Sequence, residues 1–156
     1  MELSKILQVI DAMNREGVEY VTFGAIALAA HGIVRATADA DFFIAPTQEN
    51  VAKLKRALRQ VWDDPFIEEI NADELLGDYP AVRYCPPDDD LTLDFLTRLG
   101  EMYRYEDLKA ENAEIEGVQL RVVTARTLYE MKRDTVRSKD RIDADMLRQK
   151  FNFGES

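Results

Sequence analysis

A mixed α/β (α+β) fold is predicted by three features of the sequence. Amphipathic helical segments alternate with short β-rich runs early in the chain, several short strands cluster in its middle, and two helical segments close it. With 156 residues, 46% of them apolar, the chain suffices for one domain with its own core and is short for two. The expected domain covers residues 1–150, and 151–156 form a C-terminal tail.

Each element has a local reason. Leu3, Ile6, Leu7, Ile10 and Met13 form the inward stripe of a helix that stops near Gly17. Residues 18–23 form a β-rich run broken by Gly24, and 25–31 form a small apolar helix closed by Gly32. A second strand, 39–45, ends at Pro46. Thr47 then caps a helix whose stripe is Val51, Leu54, Leu58 and Val61. The acidic stretch 63–78 holds at most a short helix at 72–76, and Trp62 and Phe66 are expected to complete the core beside the long helix. Residues 81–84 and 91–96 read as strands joined by a Pro-Pro-Asp-Asp-Asp loop, in which the acids form a solvated turn and Cys85 is half-buried. Segments 113–116 and 118–123 flank Gly117 as a hairpin. Thr124 opens a helix with Leu128, Met131 and Val136, and Asp140 opens the last one, with Ile142, Met146 and Leu147 inward.

Composition excludes several functions. Thirty acids against 20 bases give a net charge of −10, which argues against non-specific nucleic-acid binding and against anionic membranes. The longest apolar stretch, 25–30, is far short of a membrane span, and residues 1–5 lack a signal peptide's basic start, so a cytoplasmic protein is expected. A lone cysteine excludes an internal disulfide and a thiolate zinc cluster. The charge is uneven: residues 1–120 carry 11 bases and 24 acids, whereas 121–150 carry 9 bases and 5 acids. That basic segment suits either a solvated helix face or a positive wall for an anionic substrate such as a triphosphate.

The chemistry centres on three aspartates. Asp39 and Asp41 are two apart in a strand and project from one face, while Ala40, Phe42 and Ile44 take the other. Asp94 interrupts the polar side of a strand whose opposite face is Leu91, Leu93 and Phe95. If the two strands are neighbours, three carboxylates converge, and a cation between them relieves their repulsion. Hard oxygen ligands of this kind suit Mg²⁺. The structural alternative is a loop end at Asp39 and an arginine partner for Asp94. Upstream, Gly24 joins a strand to a helix, where unpaired N–H groups and a missing side chain let a phosphate approach. Arg35 and Thr37 can add a guanidinium and a hydroxyl.

These residues resemble the nucleotidyltransferase superfamily, the polymerase-β-like fold: a Gly turn, an Asp-x-Asp strand and a third Asp on a later strand. More narrowly, the run from Gly24 through His31-Gly32, then Arg35-Ala36-Thr37-Ala38-Asp39-Ala40-Asp41, resembles small bacterial proteins related to abortive-infection toxins. Lys132, and the later Lys139-Asp140-Arg141-Ile142-Asp143, resemble that group's closing element. The resemblance implies a mixed sheet flanked by helices and transfer of a nucleotidyl group from an NTP to an unidentified acceptor: a protein, an RNA end or a small molecule. It implies two Mg²⁺ ions on Asp39, Asp41 and Asp94, with Asp94 serving the ion that activates the acceptor hydroxyl. It also implies phosphate binding at Gly24 and Ala25, and charge relief on pyrophosphate by Lys132 or Lys139.

Ala25 stands where the family has Gly or Ser, keeping the backbone N–H but losing a hydroxyl. It supports the alternative of a degenerate domain that binds a nucleotide or a partner protein. One half of a toxin–antitoxin pair, acting through a cognate protein partner, is a third reading that rests on the resemblance. His31 suits closure of its short helix or a phosphate contact. Asp140 and Asp143 have the spacing of a helix cap and its reciprocal partner, as well as suiting a substrate role.

Overall fold

Alternation of side chains along the strands gives the central sheet two unlike faces, and that difference places every helix. The computed structural model describes residues 3–33, 39–78, 80–87, 89–99, 103–133 and 138–153, with only the backbone described at 138 and 139. Six strands, β1 (Tyr20–Phe23), β2 (Asp39–Ile44), β3 (Ala81–Tyr84), β4 (Thr92–Leu96), β7 (Ala110–Ile115) and β8 (Val118–Val123), form one mixed sheet in the order β3-β4-β2-β1-β8-β7. The β1–β2, β3–β4 and β7–β8 pairs are antiparallel, and β2–β4 and β1–β8 are parallel. A separate ribbon pairs β5 (Arg98–Leu99) with β6 (Tyr103–Arg104), a two-residue pairing too short to show as periodicity.

One face carries Ala40, Phe42, Ile44, Leu93, Phe95 and Val122, all fully buried. Phe42 stacks on Phe95 at 5.5 Å and meets the edge of Tyr20 at 6.0 Å. Each ring buried in this way contributes about 2–3 kcal/mol. Helices α1 (Leu3–Glu16) and α3 (Gln48–Val61) cover this face. The Tyr20 hydroxyl donates to Asn14 of α1 at 2.9 Å, and Trp62, at the end of α3, lies edge-on to Tyr84. Thr47 caps α3 as predicted, its hydroxyl accepting from Asn50 N–H at 3.0 Å. The buried Asn50 amide then donates to the carbonyls of Glu19 and Ala45 and accepts from Glu19 N–H, which fixes the start of α3 against the far ends of β1 and β2.

The other face begins with α2 (Gly24–Ala30), which leaves β1 directly and lies against β1 and β2. Helices α5 (Ala125–Arg133) and α6 (Ser138–Phe151) pack on each other, with α5 touching α2. Thr124 starts α5, accepting from Thr127 N–H at 3.2 Å. The β7–β8 turn uses Glu116 and Gly117, both at positive φ (49° and 83°), the geometry of a two-residue hairpin. Helix α4 (Ala72–Leu76) occupies the short helical position expected within the acidic stretch. No described helix is long and apolar enough to cross a membrane.

Several expectations need correction. Phe66 is 67% exposed, because the 3-10 turn Pro65–Glu69, capped by Asp64 on Phe66 N–H, turns Ile67 into the core instead. Cys85 is exposed, just past the end of the edge strand β3. On α6, Ile142 is 59% exposed, and the inward face is Asp140, Asp143, Ala144 and Leu147. Lys132 of α5 explains that rotation: its ammonium is 3.3 Å from Asp140 and 3.0 Å from Asp143, with all three side chains buried. Asp140 is the third residue of α6 and not its cap, so the pair of acids joins two helices through a lysine. Val136 lies outside the described residues.

Replacing Lys132 by Met removes the shared cation from two buried carboxylates and is expected to cost about 3–5 kcal/mol in urea unfolding. Adding Asp140→Asn and Asp143→Asn to that variant should restore part of the loss. A loss below about 1 kcal/mol would show that the triad does not join the helices.

Candidate active site

The register of the sheet brings the aspartates together. Parallel pairing of β2 with β4 sets Asp41 opposite Asp94 and Asp39 opposite Thr92. Neighbouring strands lie about 4.8 Å apart, so Asp39, Asp41 and Asp94 share one face at one end of the sheet. Antiparallel β1 ends there too, with Phe23 opposite Asp41 and Gly24 next. Strand β3 brings Arg83 opposite Asp94.

Gly24 is the tightest point of the arrangement. Its φ is +68°, a conformation glycine adopts without strain. A Cβ built on it would land on an Asp41 carboxylate oxygen and 3.1 Å from the carboxylate carbon. The bend therefore lies flat against Asp41, with no room for any side chain.

Crowding shows in the proton affinity of Asp41. Its pKa is pushed up to about 7, first by burial, then by the charges of Asp94 and Asp39 and a hydrogen bond with Asp94, against the pull of Lys132. Asp94 in turn accepts from Arg83 twice, Nε at 2.9 Å and Nη2 at 3.4 Å. Among the described residues, no three acid, histidine or cysteine groups are gathered closely enough to hold a metal ion. The sequence places three carboxylates on one face, and in this geometry the third is held by an arginine.

Comparison with known proteins bears on this architecture. No family model and no curated protein matches the chain. Solved structures do. A crystal structure of ANT(2″)-Ia in complex with adenylyl-2″-tobramycin superposes with a TM-score of 0.59 at 13% identity, covering 96% of this chain and 89% of that one. A solution structure of the same antibiotic-resistance factor gives 0.59 at 15%, covering 96% and 84%. A protein from Thermotoga maritima described as a nucleotidyltransferase gives 0.56 at 15%, covering 96% and 92%. The chain has the nucleotidyltransferase fold.

Within the nucleotidyltransferase fold, the other candidate residues divide. Ala25 is buried in the first turn of α2, so the packing of that helix accommodates its methyl group. His31 closes α2: its Nε2–H donates to the Val123 carbonyl at 2.8 Å, and its ring meets Phe151 edge-on. Nδ1 is 3.8 Å from the exposed carboxylate of Glu111. Lys132 faces its two aspartates on α6, yet its charge reaches Asp41. Lys139 belongs to the first turn of α6, where only the backbone is described, and Arg35 and Thr37 lie outside the described residues. In the acidic loop, Asp89 is half-buried and accepts from Trp62 Nε1 at 2.7 Å. Arg83 is the residue that sequence reasoning did not single out. Its signal was present in the alternation of Val82, Arg83 and Tyr84, which sets Arg83 on the polar face of an edge strand.

The raised pKa of Asp41 has a definite sign. The folded protein binds the proton more tightly than the unfolded chain, so the ionised group destabilises the fold progressively as pH rises from about 4 to about 7. Without divalent cations, Asp41→Asn should therefore raise Tm at pH 8, by about 2–4 °C for each kcal/mol relieved. The gain should shrink towards zero at pH 4. An equal effect at both pH values would mean that Asp41 does not sit among anions.

Proposed function

We propose that this protein transfers a nucleotidyl group from an NTP to an acceptor hydroxyl in a Mg²⁺-dependent reaction. The observation that carries the reading is the pressing of the Asp41 carboxylate against the side-chain-free bend at Gly24, with Asp39 and Asp94 on the same face. The donor set fits the ion: all three groups are hard oxygens, and the proton affinity of Asp41, raised first by burial and then by the charges of Asp94 and Asp39, would fall with a cation between them. Asp39, Asp41 and Asp94 would hold Mg²⁺, which, when bound, offsets triphosphate charge and lowers the pKa of the acceptor hydroxyl.

The chain's own groups do the rest. Gly24, having no Cβ, lets the Asp41 carboxylate pack directly on the bend whose N–H groups would face the phosphates. Asp39 and Asp41, held two apart on a strand, keep a fixed spacing without any loop to order. Lys132 is locked by Asp140 and Asp143, and its charge acts on Asp41 from a fixed position inside the protein. In the reaction, a bond forms between the acceptor oxygen and the α-phosphorus, and the α–β bridging P–O bond breaks. Pyrophosphate leaves with that electron pair, and the hydroxyl proton passes to solvent. Among acceptors, a small molecule has a precedent on this fold in the adenylyl-2″-tobramycin bound to ANT(2″)-Ia.

Calorimetry with each NTP, with and without Mg²⁺, tests the site. Binding should require Mg²⁺ and weaken at least about tenfold in Asp41→Asn, as expected for loss of a charged metal ligand. Unchanged binding in the variant would remove Asp41 from the site. A second reading, a domain that holds a nucleotide without transferring it, is favoured by the Arg83–Asp94 pair and by Ala25. Radiolabelled NTP incubated with cell extract separates the two: a transferase labels an acceptor, and a binding module labels nothing.

A further inference from the structure

Arg83 is built to be displaced. Its side chain is 66% exposed on an edge strand, while the Asp94 carboxylate it holds is 19% exposed. It makes a forked contact, with Nε on one oxygen of the carboxylate and Nη2 on the other. Beside it opens a cavity of about 270 Å³ lined by Asp64, Phe66, Glu69, Tyr84 and Cys85, with Arg83 itself on the rim. Arg83 thus lines open space that also holds an acidic residue, Glu69. Asp64 is engaged already, accepting from the Tyr84 hydroxyl at 2.6 Å and from Phe66 N–H.

We infer that Arg83 is a positioning residue that stands in for a cation: it holds the third carboxylate, Asp94, until a divalent ion takes it, and then swings into the neighbouring cavity. This rests on the proposed metal site. It explains why the three carboxylates share a face without being gathered around one point. An exposed ion pair contributes little to stability, so the exchange is energetically within reach of a divalent cation. Assembly of the full carboxylate set then depends on displacing Arg83, which couples the last ligand to arrival of the charged substrate.

The test measures binding of Mn²⁺ alone by calorimetry at low ionic strength, before any turnover. Arg83→Met should bind Mn²⁺ about fivefold more tightly than wild type, because an exposed ion pair competes only weakly with the ion for Asp94. Arg83→Lys, which keeps the charge and loses the fork, should fall between them. Arg126→Met removes an exposed arginine paired with Glu130 on α5 and should match wild type. If Asp41→Asn weakens Mn²⁺ binding while Arg83→Met leaves it unchanged or weaker, the inference about Arg83 is overturned and the metal site stands. If Asp41→Asn leaves Mn²⁺ binding untouched, the metal site itself fails, and the role of Arg83 with it.

Discussion

The structure depends on one contact, the carboxylate of Asp41 lying on the bare Cα of Gly24. That contact requires β1 and β2 to end together, it requires glycine, and it forces an anion into a half-buried position beside two others. A fold selected for stability alone would place a neutral residue there. Keeping a carboxylate whose ionisation the surroundings oppose is the sort of local conflict that marks functional sites.

Among the described residues, Lys132 and Arg83 act on this cluster, and they differ in kind. Lys132 is buried and committed to two aspartates of α6, so its ammonium is part of the architecture that docks the last helix. Arg83 is exposed and holds a single carboxylate from an edge strand. The cation inside is therefore fixed by its partners, while the one at the surface is the one inferred to exchange. For the proposed function such a division would be useful, because permanent neutralisation of all three acids would leave nothing for an incoming cation to bind.

The sheet and its helices were largely legible because hydrophobic periodicity is a local property. Alternation in 39–44 and 91–96 showed which way Asp39, Asp41 and Asp94 point, and Thr47 and Thr124 marked helix starts by their hydroxyls. The parallel register that sets Asp41 against Asp94 was not legible, since fifty residues separate the strands and no turn links them. Arg83 escaped for a related reason: a loop with two prolines does not fix which residue of β3 faces which residue of β4. On α6 the periodicity misled outright. Two aspartates occupy inward positions that apolar residues normally fill, and a buried lysine from another helix helps make that acceptable, so Ile142 points to solvent.

The most direct test follows backbone amide signals by NMR while substoichiometric Mn²⁺ is added, since paramagnetic broadening falls steeply with distance from the ion. Amides of Gly24, Ala40, Asp41, Leu93 and Asp94 should broaden first and together. Broadening confined to the acidic stretch 63–78 or to the loop at 88–90, with those five signals left sharp, would contradict the account.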